Sequence, residues 1–308
     1  MSVTPTVEPP AQTHTRPEVT AEHAAFLHEN GYLALPDALS PGEVQALNDE
    51  TVRICRGEMG DVAGLPPVGR DDSDDEVIQR TLCVHFPHKI SDVMFDCLAH
   101  PSIKDVFTRV IGPNVKCMQS MLFIKPAGKP GQAWHQDEAF IPTRDRSLNA
   151  AWIALDDATV ENGCLWVIPG SHANGLIWPN REHDDERFDC VEEAFDFPYS
   201  DADAVPIEVT AGSIVFFNGY LLHRSLPNLA ASGYRRALVN HYMSAESLLP
   251  WRFDGTGARG VASADFRDIV MIAGRDPYAW KGIEDVSFSH IRPDREGGCQ
   301  WPTKEEES

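Results

Sequence analysis

The sequence has none of the features expected of a membrane or secreted protein. Its 308 residues contain no apolar run near the roughly 18 to 20 residues that a membrane helix needs. Residues 1–20 are polar and rich in proline and threonine, without the apolar segment of a secretory signal. We therefore expect a cytoplasmic protein in which residues 1–19 form a disordered tail and residues 20–308 form a single domain.

Basic residues are also scarce. The chain has 26 Lys and Arg against 47 Asp and Glu, for a net charge of −21, and the basic residues form no cluster. Nucleic acids and anionic membranes are bound through basic surfaces. The composition therefore favours a small-molecule substrate over either of these partners, and it leaves the oligomeric state open.

Paired cysteines are the third missing feature. The seven cysteines are odd in number, and no two form a CxxC motif. This argues against a disulfide framework and against a thiolate zinc site. We expect reduced thiols, mostly buried in the core that a chain of this length and 42% hydrophobic content can form.

The first third of the chain has helix signals. Thr20 can cap a helix that ends at Gly31, and Ser40-Pro41-Gly42-Glu43 is a capping box that begins a helix ending near Gly57. Residues 58–78, rich in glycine, proline and acids, are predicted to form a long exposed loop. Further helices are predicted over 91–98 and 102–111.

From residue 115 the hydrophobic pattern changes to that of strands. Asn-Gly in Glu161-Asn162-Gly163 predicts a hairpin between the second and third of these strands. Helices followed by many short strands favour an α+β chain with a mainly β core over about 115–245, a sandwich or barrel flanked by N-terminal helices. The predicted strands are 115–125, 150–155, 164–168, 207–209, 213–218 and 236–243.

An acidic insert, residues 175–204, separates two of these strands. It has ten acids and two arginines, 2 − 10 = −8 in net charge. Inserts of this length are often lids or binding loops, and the alternative is a solvated acidic loop. Clefts lined by one sign of charge concentrate ligands of the opposite sign. Together with acidic residues 71–76, the insert predicts a small neutral or cationic substrate.

The motif Trp134-His135-Gln136-Asp137 suggests a metal site. In an extended chain, residues two apart point to the same side, so His135 and Asp137 can converge on one ion. His223, beyond the strand 213–218, is the best candidate for a third ligand. Two histidines and one carboxylate form the facial triad of non-haem Fe(II) oxygenases. Zinc accepts the same ligands, and a hydrogen-bonded structural His135 is the other alternative.

Two residues near the third histidine are suited to an anionic ligand. Arg235 begins a strand, where a guanidinium can bind a carboxylate bidentately. Ser225, two residues after His223, can share that task. Arg224, directly after His223, is predicted to narrow the metal site or to place a cation near it.

Several motifs, in order, resemble the phytanoyl-CoA dioxygenase family of Fe(II)/2-oxoglutarate-dependent oxygenases. The resemblance runs from about Phe26 to Met243 and includes GYLALPDALSPGEVQAL, WHQD, AWIALDDATVENGCLWVIPGSH, LLHRSLPN and YRRALVNHY. It implies a double-stranded β-helix core of the jelly-roll, cupin-like type with helices packed outside.

The resemblance also implies site residues. His135, Asp137 and His223 match the iron ligands, Arg235 matches the arginine that binds the distal carboxylate of 2-oxoglutarate, and Ser225 matches a hydroxyl that assists it. Because the spacing of twelve from His223 to Arg235 is one residue longer than usual in the family, Arg236 is a rival for the carboxylate. The pocket positions matched are Trp152 and Met121, with Gln119 on the same strand face as Met121.

The implied activity is hydroxylation of an unactivated C–H bond of a small molecule, with Fe(II), 2-oxoglutarate and O2, and with release of succinate and CO2. Asp137 favours hydroxylation over halogenation, because related halogenases replace this carboxylate with a small residue. Desaturation, epoxidation and ring closure stay open. One alternative is a cupin-type metalloenzyme that does not use 2-oxoglutarate and would not need Arg235. Another is a non-catalytic ligand-binding relative.

Overall fold

The computed structural model describes residues 14–60, 62–189, 192–247, 269–282 and 287–294. Residues 1–13 of the predicted tail, and most of the chain after 247, lie outside the described residues. Val19, at the end of the predicted tail, is buried. Within the described ranges, no helix has both the length and the apolarity to cross a membrane.

The predicted caps of the first two helices are confirmed. Thr20 accepts a hydrogen bond from the His23 N–H, and Gly31 adopts the left-handed conformation with φ of 80°. Ser40 and Glu43 form the capping box of the second helix. The α-helices are α1 Ala21–Asn30, α2 Pro41–Cys55, α3 Asp74–Ile78, α4 Asp92–Leu98, α5 Pro101–Val110 and α6 Asp137–Phe140.

The predicted loop over 58–78 is wrong at its C-terminal end, where α3 forms. The Ser73 hydroxyl accepts a hydrogen bond from the Glu76 N–H, and the Glu76 carboxylate accepts one from the Ser73 N–H. This is a further capping box, within a run of acidic residues. The acids suit this position, because carboxylates in the first turn interact favourably with the helix dipole.

The strands form two main antiparallel sheets. The major sheet has eight strands in the order β1-β10-β5-β12-β3-β2-β14, with β13 also paired to β3. The minor sheet has the order β4-β11-β6-β9, and β7 pairs with β8. The strands are β1 Tyr32–Leu35, β2 Thr81–His85, β3 Val115–Pro126, β4 Gln132–His135, β5 Asn149–Ala154, β6 Leu165–Val167, β7 Asn180–Arg181, β8 Glu193–Ala194, β9 Val205–Ile207, β10 Ile214–Asn218, β11 His223–Ser225, β12 Tyr234–Ser244, β13 Val270–Ala273 and β14 His290–Pro293.

The major sheet is buried on both faces. On one face, Leu122 and Leu238 pack with helix residues such as Phe107. On the other, Trp152 and Phe217 belong to a second apolar cluster that includes residues of the minor sheet. The two sheets therefore enclose an interior, with the helices outside the major sheet. This is the predicted α+β arrangement with a mainly β, jelly-roll core.

The predicted hairpin between the second and third strands is wrong. The chain does turn at Gly163, which has φ of 80°. However, β5 pairs with β10 and β12 in the major sheet, whereas β6 pairs with β11 and β9 in the minor sheet. The turn reverses the chain but does not choose the strand partner, which for both strands lies elsewhere in the sequence.

Candidate metal centre and cosubstrate site

Pairing of β4 with β11 brings the two candidate histidine ligands together. His223 lies directly opposite His135 across the antiparallel pair, and their ring centroids are 4.1 Å apart. Gly131 permits this close approach, since a Cβ there would lie 1.8 Å from the Ser225 carbonyl oxygen. Asp137 begins α6 directly after β4, and ligand atoms of all three residues lie within 4.8 Å of one another.

The orientation of both imidazoles leaves a free nitrogen on each. His135 Nδ1 is 2.8 Å from the Ala133 carbonyl oxygen, and His223 Nδ1 is 3.0 Å from that of Leu221. A carbonyl can only accept, so each Nδ1 carries a proton, and in the neutral ring Nε2 is the nitrogen with the lone pair. Burial, followed by the nearby His223, lowers the pKa of His135 to about 4. The main-chain contacts thus orient both rings so that Nε2 is the nitrogen available to a metal.

The carboxylate of Asp137 divides its two oxygens between different partners. Oδ1 lies 3.5 Å from His223 Nε2 and 3.8 Å from His135 Nε2, while Oδ2 lies 3.0 Å from His241 Nε2. Burial acts to raise the pKa of Asp137, but His223 and His241 outweigh it and the pKa is lowered. An ionised carboxylate between two free imidazole nitrogens is a donor set that suits a divalent cation.

A second polar cluster, of cations, lies along the same interior. Arg235 is 4% exposed and its Nε has no hydrogen-bond partner among the described residues. Lys125 lies directly opposite it on β3 and donates hydrogen bonds to Ser225 Oγ at 2.9 Å and to the Leu226 carbonyl oxygen at 2.7 Å. Burial lowers the pKa of Arg235 to about 10, so the guanidinium stays charged at neutral pH.

The two adjacent arginines point to opposite faces of β12. Arg236 points away from the interior, and its guanidinium forms two hydrogen bonds with Asp156, from Nε at 2.8 Å and from Nη2 at 2.7 Å. Its guanidinium is therefore engaged, whereas that of Arg235 is aligned with the interior and lies 5.5 Å from the Trp152 ring. The longer spacing after His223 does not change which arginine faces inward.

The three predicted pocket residues share the interior face of the major sheet. Trp152 and Met121 lie on either side of Val239, on β5 and β3 respectively. Gln119 lies opposite His241. Trp152 and Met121 thus lie between the levels of Arg235 and His241, and Gln119 lies at the level of His241, on the face that the alternation in β3 predicts.

The prediction that Arg224 lies at the metal site is wrong. Alternation along β11 turns it away from His223 and Ser225, and its guanidinium lies 4.5 Å from the Trp134 ring centroid and 5.8 Å from that of Trp166. It also forms a 3.0 Å ion pair with Asp201 of the acidic insert. Arg224 therefore attaches the insert to the outer face of the minor sheet.

Gln136, within the HxD motif, makes a second attachment to the insert. Its Nε2 donates to the carbonyl oxygens of Leu176 at 2.9 Å and Tyr220 at 2.6 Å, and its Oε1 accepts from the Trp178 N–H at 2.8 Å. The insert is thus a docked segment where it meets the triad, with the short β7–β8 pair inside it.

The sequence prediction missed Lys125, His241 and Gln136. Lys125 continues the inward row of β3 that contains Gln119 and Met121, and His241 continues the inward row of β12 that begins at Arg235. Strand alternation, applied to every polar residue of these rows, would have identified the first two. Gln136 has no such signal, because its partners are main-chain groups of distant loops.

The fold and the site define a jelly-roll, non-haem iron oxygenase. The family model described as phytanoyl-CoA dioxygenase (PhyH) matches residues 27–237, and the chain belongs to this family. It is therefore an oxidoreductase that uses iron and 2-oxoglutarate, as predicted.

Individual relatives agree with this assignment. Phytanoyl-CoA dioxygenase 1 of Oryza sativa subsp. japonica is 30% identical over 258 residues, covering 74% of this chain and 90% of the relative. The peroxisomal phytanoyl-CoA dioxygenase of Bos taurus is 29% identical, covering 74% and 69%. The epimerase SnoN, solved with Fe3+, alpha ketoglutarate and nogalamycin RO, has a TM-score of 0.57 at 23% identity, covering 83% and 96%. The last similarity confirms the predicted fold.

Proposed function

We propose that His135, Asp137 and His223 hold Fe(II), that Arg235 and Ser225 bind the distal carboxylate of 2-oxoglutarate, and that the enzyme hydroxylates an unactivated C–H bond of a small molecule. The observation that supports this most is the pairing of two complementary clusters in one interior. One offers a carboxylate and two free imidazole nitrogens, and the other offers buried cations.

The separation of the two clusters suits a short dicarboxylate. His223 and Ser225 share the inward face of β11 and are two residues apart, roughly 7 Å along a strand. On β12, the Arg235 guanidinium reaches the Trp152 ring, and Trp152 lies opposite Val239, two residues from His241. A five-carbon dicarboxylate can therefore contact the triad with one end and the cations with the other.

Each residue has a defined task in this proposal. His135 and His223 present Nε2 to the metal because the main chain binds their Nδ1 protons. Arg235 provides the charge for the far carboxylate, Ser225 is held beside it by Lys125, and Trp152, Met121 and Gln119 line the space between. When bound, Fe(II) and 2-oxoglutarate supply, with O2, the oxidant for the substrate, and succinate and CO2 are released.

The two alternative functions are less well supported by the site. A metalloenzyme without 2-oxoglutarate leaves the buried Arg235 without an anion, which would be costly. A non-catalytic relative has no need for two imidazoles whose free nitrogens converge with a carboxylate. The presence of Asp137 supports hydroxylation over halogenation.

The charge argument for a small neutral or cationic substrate rests on the acids of residues 71–76 and of the insert. Three of these acids are partly neutralised: Asp72 pairs with Arg80, Asp74 pairs with Arg56, and Asp201 pairs with Arg224. This reduces the support for that substrate class. The substrate panel should therefore include acyl-CoAs, after the names of the curated relatives, beside neutral and amine-bearing small molecules.

The decisive experiment is anaerobic loading with Fe(II) and 2-oxoglutarate, followed by air and the substrate panel, with succinate as the readout. We expect substrate-stimulated succinate release that His223→Ala abolishes, while alanine at the exposed His28 leaves it unchanged. Full iron content and activity in His223→Ala would contradict the triad. A cytoplasmic location is proposed from composition, and imaging of the full chain tests it against the peroxisomal location in the name of the Bos taurus relative.

A further inference from the structure

His241 is a buried histidine that the proposed function does not use. It lies on the inward face of β12, is 5% exposed, and is flanked across the sheet by Gln119 and Ala150. Its Nε2 is 3.0 Å from Asp137 Oδ2. Among the described residues, this is the sole hydrogen bond to the Asp137 carboxylate.

The direction of this bond follows from the chemistry of its partners. An ionised carboxylate can only accept, so His241 Nε2 donates its proton to Oδ2. This leaves Oδ1 as the oxygen that faces both candidate ligand nitrogens, 3.5 Å from His223 Nε2 and 3.8 Å from His135 Nε2. The contact therefore distinguishes the two oxygens of a group that is otherwise free to turn about its Cβ–Cγ bond.

The bond also connects two parts of the fold. Asp137 follows the short strand β4 of the minor sheet, whereas His241 belongs to the 11-residue β12, which is paired on both sides in the major sheet. The other ring nitrogen of His241, Nδ1, is buried without a hydrogen-bond partner. The position of the ring is thus set by the strand itself, and the ring transmits that position to the carboxylate.

We propose that His241 is a positioning residue that holds Asp137 to coordination through Oδ1 alone. This rests on the proposed role of Asp137 as an iron ligand. A carboxylate that turns can present both oxygens to the metal and occupy a position that the facial triad leaves open. By binding Oδ2, His241 keeps that position available to the cosubstrate.

The test measures metal binding rather than turnover. His241→Phe removes the donor but keeps a ring, and His241→Gln keeps an amide N–H near the position of Nε2. Mn(II) affinity, followed by electron paramagnetic resonance, should fall about 10- to 100-fold in His241→Phe, the usual cost of losing a group that orients a metal ligand. His241→Gln should recover most of it. X-ray absorption of the Mn(II) proteins should show more carboxylate oxygen at the metal in His241→Phe.

Two controls separate the possible outcomes. His88→Phe changes a buried histidine that bonds Ser120 rather than Asp137, and it should bind Mn(II) as the wild type does. Asp137→Ala should lose Mn(II) binding. If it does while folded His241→Phe keeps wild-type affinity and spectra, the role of His241 is wrong and the triad stands. If Asp137→Ala also binds normally, the triad itself is wrong. Should His241→Phe not fold, His241→Leu decides by the same readouts.

Discussion

The two ends of the enclosed interior treat buried charge in opposite ways. At the triad, three imidazoles surround the Asp137 carboxylate, and that of His241 forms a 3.0 Å hydrogen bond with it. At the other end, Arg235 and Lys125 lie opposite each other on adjacent strands, and neither forms an ion pair with a carboxylate of the described residues.

The carboxylates that act on these cations are already paired with other arginines. Asp156, which raises the pKa of Arg235, bonds Arg236, and Asp189, which raises that of Lys125, lies 3.4 Å from Arg292. The main effect on both cations is burial, which lowers their pKa values. Buried charges without partners are costly. One end therefore offers a carboxylate and imidazoles to a cation, whereas the other offers cations to an anionic ligand.

The largest expected effect comes from removing the one anion of the metal end. Asp137→Ala should abolish substrate-coupled succinate release and weaken Mn(II) binding by more than about 100-fold, since losing a ligand exceeds the cost of losing a group behind it. Equilibrium dialysis and the succinate assay measure both. Asp184→Ala, at an exposed position, is the control. Retention of metal by Asp137→Ala would show that Asp137 is not a metal ligand.

The next effect concerns the two adjacent arginines. Arg235→Ala should raise the KM for 2-oxoglutarate roughly 10- to 150-fold, because a hydrogen bond to a charged group contributes about 1.5–3 kcal/mol. Arg236→Ala should leave this KM unchanged and lower the free energy of unfolding, because it breaks the pair with Asp156. The KM of each variant is measured from the rate of succinate release at varied 2-oxoglutarate concentration. The reverse ranking would mean that Arg236 binds the cosubstrate.

A smaller effect is expected at the second cation. Lys125→Met removes one of two donors to Ser225 Oγ, the other being the Gln132 N–H. It should raise the KM for 2-oxoglutarate roughly 2- to 12-fold, the equivalent of one hydrogen bond of about 0.5–1.5 kcal/mol. Lys129→Met changes a nearby, more exposed lysine that pairs with Asp294 and serves as the control. Equal KM values for the two variants would show that Lys125 does not contribute to the binding of 2-oxoglutarate.

The smallest effect should come from outside the interior. Arg224→Ala loses its contacts with two tryptophan rings and its pair with Asp201, and should lower the free energy of unfolding by about 1–3 kcal/mol. The KM for 2-oxoglutarate should not change. Denaturant unfolding and kinetics of the same variant test this. A large KM change with little loss of stability would indicate that Arg224 contributes to the metal and cosubstrate site.

Much of the site could be read from local pattern. The two-residue spacing of His135 and Asp137, the helix caps at Ser40 and the alternation along β3 are encoded within a few residues. Strand alternation also accounts for the opposite faces of Arg235 and Arg236. It was not applied to Lys125 or His241, which are in the same inward rows and were therefore missed.

Strand partners could not be read in this way. The Asn-Gly turn correctly predicted a reversal near Gly163 but not that β5 and β6 join different sheets. Likewise, alternation from His223 should have turned Arg224 outward, but its tryptophan and Asp201 contacts depend on segments far away in the chain. Local turn and strand signals describe backbone shape, whereas the choice of neighbour depends on the apolar surface that the whole chain buries.

The donor types, the approximate helices and strands, and the family can be read from the sequence, because these depend on residue identity and short spacings. The long-range contacts require the folded chain: His223 faces His135, His241 bonds Asp137 across 104 residues, and Lys125 holds Ser225 across 100. Contacts of this kind come from strand pairing and the packing of two sheets. The energies of pairing and packing depend on the whole core, so no short segment of the sequence determines them.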